Sequence, residues 1–213
     1  MVWPRRIIGA AGRNMAAGLA LLCLGVFAPA PAQAQVQAQA QVQAQAEGNW
    51  SLALFGAVMT DNVWEDTMLP WELEFIDSQL VGLALAYTRP FPDPRWHWGA
   101  ELQIAAHLGR QDHLEINLPL VLRYFPQRPW IETIDSFAFG IGWSHATDIP
   151  ETEAARHGNS RRGLIYWMAE VAWQTPRPDR TVFLRLHHRS DGFGLLQPEA
   201  GSNAIAFGLR QGF

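Results

Sequence analysis

Apolar residues alternate with small or polar residues at a period of two in eight separate segments of this chain. A period of two indicates β-strands, because successive side chains of a strand point to opposite faces. Each of the first seven segments is followed by a stretch rich in proline, glycine or charged residues, as strands separated by turns require. The segments are Trp50–Met59, Gln79–Thr88, His97–Gly109, His113–Tyr124, Ser136–Ala146, Leu164–Gln174, Thr181–Ser190 and Asn203–Phe213.

Two all-β folds fit this alternation: a soluble lipocalin-like barrel with an apolar interior, and a membrane barrel with an apolar exterior. The less apolar face favours the second, because small residues and opposite charges suit the narrow, filled interior of an eight-stranded barrel. The segments also have about the 9–11 residues that a tilted membrane strand needs. We therefore predict an eight-stranded antiparallel outer-membrane β-barrel. The charged or amide residues of the less apolar face are Glu101, Gln103, Glu115, Asn117, Arg123, Glu170, Arg185 and Arg210.

Residues 1–34 have the layout of a secretory signal peptide, with three arginines, an apolar run and the small-x-small sequence Ala32-Gln33-Ala34. Residues 35–46 read QVQAQAQVQAQA, a low-complexity composition that predicts a disordered leader. The barrel domain is expected over 47–213. Cys23 lies in the signal segment, so the predicted mature chain has no cysteine with which to form a disulfide.

The remaining chemistry of the sequence excludes several classes of function. The signal segment holds no acidic residue, so its removal makes the chain more acidic, and no basic surface for nucleic acid is expected. No metal-binding spacing of histidines and no glycine-rich phosphate loop is present, and we predict no metal and no cofactor. By parity His97, His107 and His113 face the interior, where we expect polar packing.

One pair of residues in the seventh segment suits nucleophilic catalysis. His188 and Ser190 are two positions apart, so they share a strand face and continue the outward face of Val182, Leu184 and Leu186. An imidazole beside a hydroxyl can act as the base that activates a nucleophile. The alternative is an ordinary polar rim where the strand leaves the bilayer, because polar groups cost little free energy there.

The stretch HHRSDGFGLLQPEAGSNAIAFGLRQGF resembles the C-terminal end of the lipid A 3-O-deacylase (PagL) family. The resemblance implies an eight-stranded outer-membrane barrel with a serine hydrolase site on its outer wall. In this register His188 matches the family histidine and Ser190 the nucleophile. Gln197-Pro198 and Gly201 align if one residue is inserted near 192–194.

Two positions depart from the family pattern. Asn203 stands where the family has the glutamate of its triad; asparagine can orient a histidine but cannot stabilise imidazolium by charge. Asp191 stands where an asparagine helps to bind the oxyanion, and an ionised carboxylate cannot donate a hydrogen bond. Backbone N–H groups of Gly192 or Gly194 are alternative oxyanion donors. Glu199 and Asp191 are alternative acids.

The resemblance implies a Ser-His esterase that removes an ester-linked acyl chain from lipid A of lipopolysaccharide in the cell outer membrane. The alternative, which the two departures favour, is a non-catalytic barrel with a structural or binding role. The alternating strand that ends in Phe213 resembles the signal read by the barrel assembly machinery. Arginines suit lipid phosphates, although solvated loop charges are the alternative at each candidate. Those candidates are Arg156, Arg161, Arg162 and Arg189.

Overall fold

A computed structural model describes residues 49–67, 69 and 71–213. The predicted signal peptide and the Gln/Ala-rich leader lie outside the described residues. The described chain forms eight strands in a closed antiparallel barrel, with each strand paired to the next and the last paired to the first. Both the fold class and the number of strands that the alternation predicts are confirmed.

The strands are separated by seven connections, two of which contain a short helix. Helix α1 spans Trp64–Thr67 and helix α2 spans Glu151–His157. No helix in the described part of the chain is long and apolar enough to cross a membrane. The strands are β1 Asn49–Thr60, β2 Phe75–Pro90, β3 Trp96–Gly109, β4 Leu114–Tyr124, β5 Ile134–Ala146, β6 Gly163–Gln174, β7 Arg180–Ser190 and β8 Gly201–Gly212.

The largest difference from the predicted strand ends is in β2. It begins at Phe75 rather than Gln79, because Phe75 pairs with Thr60 beyond a shift in the β1–β2 register. The barrel closes where β1 pairs with β8, from Ser51 opposite Gly212 to Thr60 opposite Asn203. This pairing brings the end of β1 beside the start of β8, where one of the sequence-predicted site residues lies.

The barrel is apolar outside and polar inside. Leu54, Leu83, Leu118 and Leu120 are more than half exposed on the outer wall. A soluble lipocalin-like barrel requires the opposite distribution, so that alternative is wrong, and the observed distribution is the one that a membrane barrel requires. The buried interior side chains include Glu101, Gln103, Glu115, Asn117, Arg123, Glu170 and Arg185.

Interior charges are paired with one another. Arg185 bridges Glu101 at 2.8 Å and Glu170 at 2.7 Å, and Arg210 also bridges Glu170, at 2.9 Å. The guanidinium of Arg185 also lies 4.9 Å from the ring centre of Phe183. Buried charges are tolerated only when they are paired and hydrogen-bonded, and here each partner satisfies the other.

The connections fall into two groups at opposite ends of the barrel, because the strands alternate in direction. The loop end carries residues 61–74, 110–113, 147–162 and 191–200, and the turn end carries 91–95, 125–133 and 175–179. Helix α2 packs on the loop end of the barrel. Its Glu153 is buried, accepts a hydrogen bond from Ser202 Oγ at 2.8 Å and lies 3.3 Å from Arg189 Nε.

Candidate functional site

The site predicted from the sequence lies at the loop end, where β6, β7 and β8 meet. In the barrel register His188 of β7 is opposite Asn203 of β8 on one side and Trp167 of β6 on the other. Ser190 is opposite Gly201 and Ile165. The antiparallel register therefore places His188, Ser190 and Asn203 on one patch of the outer wall.

Asn203 holds the His188 ring through its side-chain amide. His188 Nδ1 and Asn203 Oδ1 are 2.6 Å apart, and Asn203 Nδ2 donates to the main-chain oxygen of Asn62 at 2.8 Å. A carbonyl only accepts, so the NH₂ group of Asn203 faces Asn62 and its oxygen faces the imidazole. The proton of neutral His188 then lies on Nδ1, and the lone pair lies on Nε2.

His188 faces outward by parity but is buried, which differs from the expected lipid-exposed position. The residue as a whole is 6% exposed. Trp167 covers it, with ring centres 4.5 Å apart, and Trp64 of α1 contacts Trp167 edge-on at 5.5 Å. Exposure was expected from strand parity, which takes no account of a loop that folds back over the barrel wall.

Ser190 remains partly exposed at the end of β7. The Gly192 N–H points at Ser190 Oγ, at 3.3 Å. No hydrogen bond joins His188 to Ser190 in the described part of the chain, so proton transfer requires the two groups to move closer together. Such approach is common between free and substrate-bound sites. Gly192 has a φ of 70°, a left-handed conformation that glycine adopts without steric cost.

The other candidate residues occupy the loop 191–200 beside Ser190. The Gly194 N–H donates to the Asp191 carboxylate at 3.1 Å, so in this conformation it serves the loop rather than an oxyanion. Asp191 and Glu199 make no hydrogen bond to His188 in the described structure. Among the three candidates for the acid position, Asn203 is the one that contacts the imidazole.

A cleft of about 490 Å³ opens directly beside Ser190. One wall belongs to the loop 61–74 and the other to the loop 191–200. The cleft has apolar and polar parts, so it suits a ligand that carries both. Its lining residues are Val63, Trp64, Glu65, His188, Ser190, Asp191, Phe193, Gly194, Gln197 and Glu199.

The four arginines considered as phosphate contacts have different surroundings. Arg189 is buried and lies within 3.5 Å of both Glu115 and Glu153, so it cannot face a lipid headgroup. Arg156 binds Asp61, and Arg161 Nη1 donates to the main-chain oxygen of Gln197 at 2.9 Å. The fourth, Arg162, is 56% exposed.

Ligand atoms of His107, His113 and Glu115 lie within 4.8 Å of one another inside the barrel. The two imidazole rings are stacked, with centres 4.3 Å apart and planes 14° apart, so one ion cannot lie in the plane of both rings. Glu115 already pairs with His107 and His187 at 2.9 Å. Glu115, His107 and His187 therefore form an interior hydrogen-bonded network, and the ring of His113 stacks on that of His107.

Three residues that complete the site carry no recognisable signal in the sequence. Asn62 follows β1 in a polar turn, Trp64 begins a four-residue helix, and Trp167 belongs to the outward face of β6. Their parts in the site depend on contacts between loops and strands that are far apart in the chain. A rule for reading strands or turns does not identify such contacts.

Comparison with known proteins shows a similarity of fold. No protein-family model matches the chain, and no curated protein matches it. A solved structure described as the outer membrane enzyme PagL is similar, with a TM-score of 0.48 and 12% sequence identity. The alignment covers 76% of this chain and 98% of that one. The similarity concerns the overall fold and carries no information about the side chains of the site.

Proposed function

We propose that this chain is an outer-membrane serine esterase that removes an ester-linked acyl chain from lipid A of lipopolysaccharide. The observation that carries the proposal is the contact of His188 Nδ1 with Asn203, which leaves Nε2 free to accept a proton on a residue that shares a strand face with Ser190. The apolar outer wall supports the membrane location. The C-terminal motif resemblance supports the choice of lipid A as substrate.

In the proposed reaction Ser190 Oγ attacks the carbonyl carbon of the ester while its proton passes to His188 Nε2. The Gly192 N–H, which points at Ser190 Oγ, is the proposed donor for the oxyanion that forms. The sugar oxygen leaves with the proton held by His188, and the acyl group remains on Ser190. A water molecule then gives one proton to His188 Nε2 and attacks the acyl carbon; the bond to Ser190 Oγ breaks, His188 returns the proton to Ser190 Oγ, and the fatty acid is released.

A cleft on the barrel wall suits a substrate that stays in the membrane. Acyl chains of a lipid in the outer leaflet lie beside the apolar wall, and the ester lies near the interface. The cleft opens between Trp64 and Phe193, and the Phe193 side chain is 92% exposed. Only the ester group and the substrate atoms next to it need to enter the cleft, so a cleft of this size is sufficient.

Asn203 affects the expected rate. A neutral amide orients His188 but provides no negative charge to stabilise the imidazolium that forms during acylation. We therefore expect slower turnover than a glutamate at this position would support. The Asp191 carboxylate adds an acceptor beside Ser190 where a donor would help the oxyanion.

The test is mass spectrometry of lipid A from cells that express the wild type, Ser190→Ala or His188→Ala. Loss of one hydroxyacyl chain with the wild type alone is the expected result. Ser51→Ala, at the turn end of β1, is the matched control and should retain the activity. Heat-modifiable gel mobility verifies that each variant folds.

A second function, a non-catalytic binding barrel, is favoured by the engagement of Gly194 N–H with Asp191. Unchanged lipid A from cells that contain correctly folded wild-type protein would contradict the esterase and support the binding barrel.

A further inference from the structure

Arg156 of helix α2 reaches from the mouth of the barrel to the loop that covers His188. Its Nη2 and Nε donate to Asp61 Oδ1 at 2.7 and 3.0 Å. The same guanidinium donates to two main-chain oxygens, those of Asn62 at 3.2 Å and Thr60 at 3.4 Å. Arg156 therefore ties the first residues of the loop 61–74 to a helix that is itself fixed by the buried Glu153.

The Asn62 carbonyl oxygen connects Arg156 to the candidate site. It accepts one hydrogen bond from Arg156 Nη1 and another, at 2.8 Å, from Asn203 Nδ2. A carbonyl oxygen has two lone pairs, so these two donors satisfy it. The position of this one oxygen decides which side of the Asn203 amide faces His188.

The orientation of the Asn203 amide decides the tautomer of His188. With the oxygen toward His188, the ring proton lies on Nδ1 and Nε2 is free to accept the serine proton. If the amide flipped, its NH₂ group would donate to Nδ1 and the ring proton would move to Nε2. A histidine in that tautomer cannot act as the base for Ser190. A glutamate at position 203 would have no such ambiguity, because both of its oxygens accept.

Hydrogen bonds join the two ends of the loop between Asp61 and Glu74. The Asn62 side chain donates to the Glu72 carbonyl at 2.7 Å and accepts from the Glu74 N–H at 2.7 Å, which closes the loop on itself. The same loop carries Trp64, which packs on Trp167 above His188. The loop thus reaches His188 by two routes, the Asn62 carbonyl and the tryptophan pair.

We propose that Arg156 is a positioning residue that sets the tautomer of His188 through the Asn62 carbonyl and the Asn203 amide. For the reaction itself this inference rests on the esterase proposed above. Arg156 touches neither Ser190 nor the cleft, so its loss should lower kcat and leave KM nearly unchanged. Small misplacements of catalytic groups cost up to about 100-fold in rate, so we expect a fall of roughly 10- to 100-fold for Arg156→Met.

The experiment uses the full chain, refolded in detergent micelles, with lipid A as substrate. Arg156→Met removes all four donations, and Arg156→Lys keeps the charge and should restore part of the kcat. Arg177→Met is the matched control, because it replaces an exposed arginine at the turn end, far from the site. Asp61→Ala removes the main partner of the guanidinium, and it provides a second route to the same result if Arg156→Met does not fold.

A second readout does not depend on turnover. In protein with ¹⁵N-labelled histidine, NMR distinguishes a ring protonated on Nδ1 from one protonated on Nε2, and His188→Ala assigns the signal. We expect the Nδ1–H form in the wild type and in Arg177→Met, and a shift toward the Nε2–H form in Arg156→Met and Asp61→Ala. An unchanged His188 tautomer in the folded Arg156→Met or Asp61→Ala variant would overturn the inference.

The two proposals fail in different ways. If the wild type leaves lipid A intact, the esterase proposal is wrong, while the NMR measurement still decides whether Arg156 sets the tautomer. If the wild type is active and Arg156→Met matches it in kcat, Arg156 has no positioning role in the reaction.

Discussion

Replacing Glu170 by glutamine removes the carboxylate on which three interior arginines converge. One oxygen accepts from Arg185 at 2.7 and 3.0 Å and from Arg210 at 2.9 Å; the other accepts from Arg210 and lies near Arg123, each at 2.9 Å. Glutamine keeps one acceptor and turns the second into an NH₂ group that faces arginine N–H donors. Glu101 then remains as the acid paired directly with Arg185.

The expected cost follows from the burial of the cluster. The Glu170 and Arg185 side chains are both inaccessible to solvent, so no water replaces the lost contacts. Removing one partner of a buried ion pair typically costs about 3–5 kcal/mol, because the remaining charge stays desolvated. Domains of this size are stable by about 5–15 kcal/mol, so Glu170→Gln should remove a large part of the total.

The measurement is the free energy of unfolding in urea, followed by tryptophan fluorescence and by heat-modifiable gel mobility in the same detergent. Asp93→Asn is the matched control, because it removes a carboxylate from an exposed ion pair with Arg95 at the turn end. That variant should unfold like the wild type. A change below about 1 kcal/mol for Glu170→Gln would refute the claim that the interior ion pairs are mutually dependent.

Three further predictions concern the wall, the mouth and the site. Leu120→Arg, in the middle of the outward face of β4, should cost about 2–4 kcal/mol in lipid vesicles, whereas Leu114→Arg at the strand end should cost near 0–1; equal values would contradict a membrane-spanning β4. Burial and the neighbouring His107 lower the pKa of His113 to about 4. As the pH is lowered, the unfolded chain binds this proton near pH 6.5, whereas the folded chain binds it only near pH 4. The free energy of unfolding should therefore decrease as the pH is lowered from about 6.5 to about 4, and the decrease should be smaller in His113→Phe. Asn203→Leu should lower kcat by roughly 10²- to 10⁴-fold with the barrel intact, since nothing then fixes the tautomer of His188; wild-type kcat in this variant would show that Asn203 has no part in catalysis.

Most of the barrel could be predicted because the alternation of outward and inward side chains is visible within the sequence of each strand. In β4, Leu118 and Leu120 alternate with Asn117 and Pro119, and the structure places the leucines outside and the other two inside. That pattern is local, so it can be read without knowing which strand pairs with which. The interior partners could not be read in this way, since Arg185 and Glu101 are 84 residues apart.

The same distinction between local patterns and long-range contacts applies to the candidate site. His188 and Ser190 share a strand face, and parity alone predicts it. The burial of His188 could not be predicted, because Trp167 covers it from the neighbouring strand and Trp64 packs on Trp167 from a loop more than 100 residues earlier. The amide of Asn203 meets the carbonyl of Asn62 across 141 residues, a contact that only the closure of β8 on β1 creates.

The filled interior described above has a consequence for permeability. The fully buried side chains of Arg185, Tyr166, Phe55 and Phe183 occupy the middle of the described barrel, and helix α2 lies on its loop end. Water and ions therefore find no open path along the axis. A bilayer that contains this protein should show no conductance above its background, and any molecule that it handles must arrive sideways, from within the leaflet.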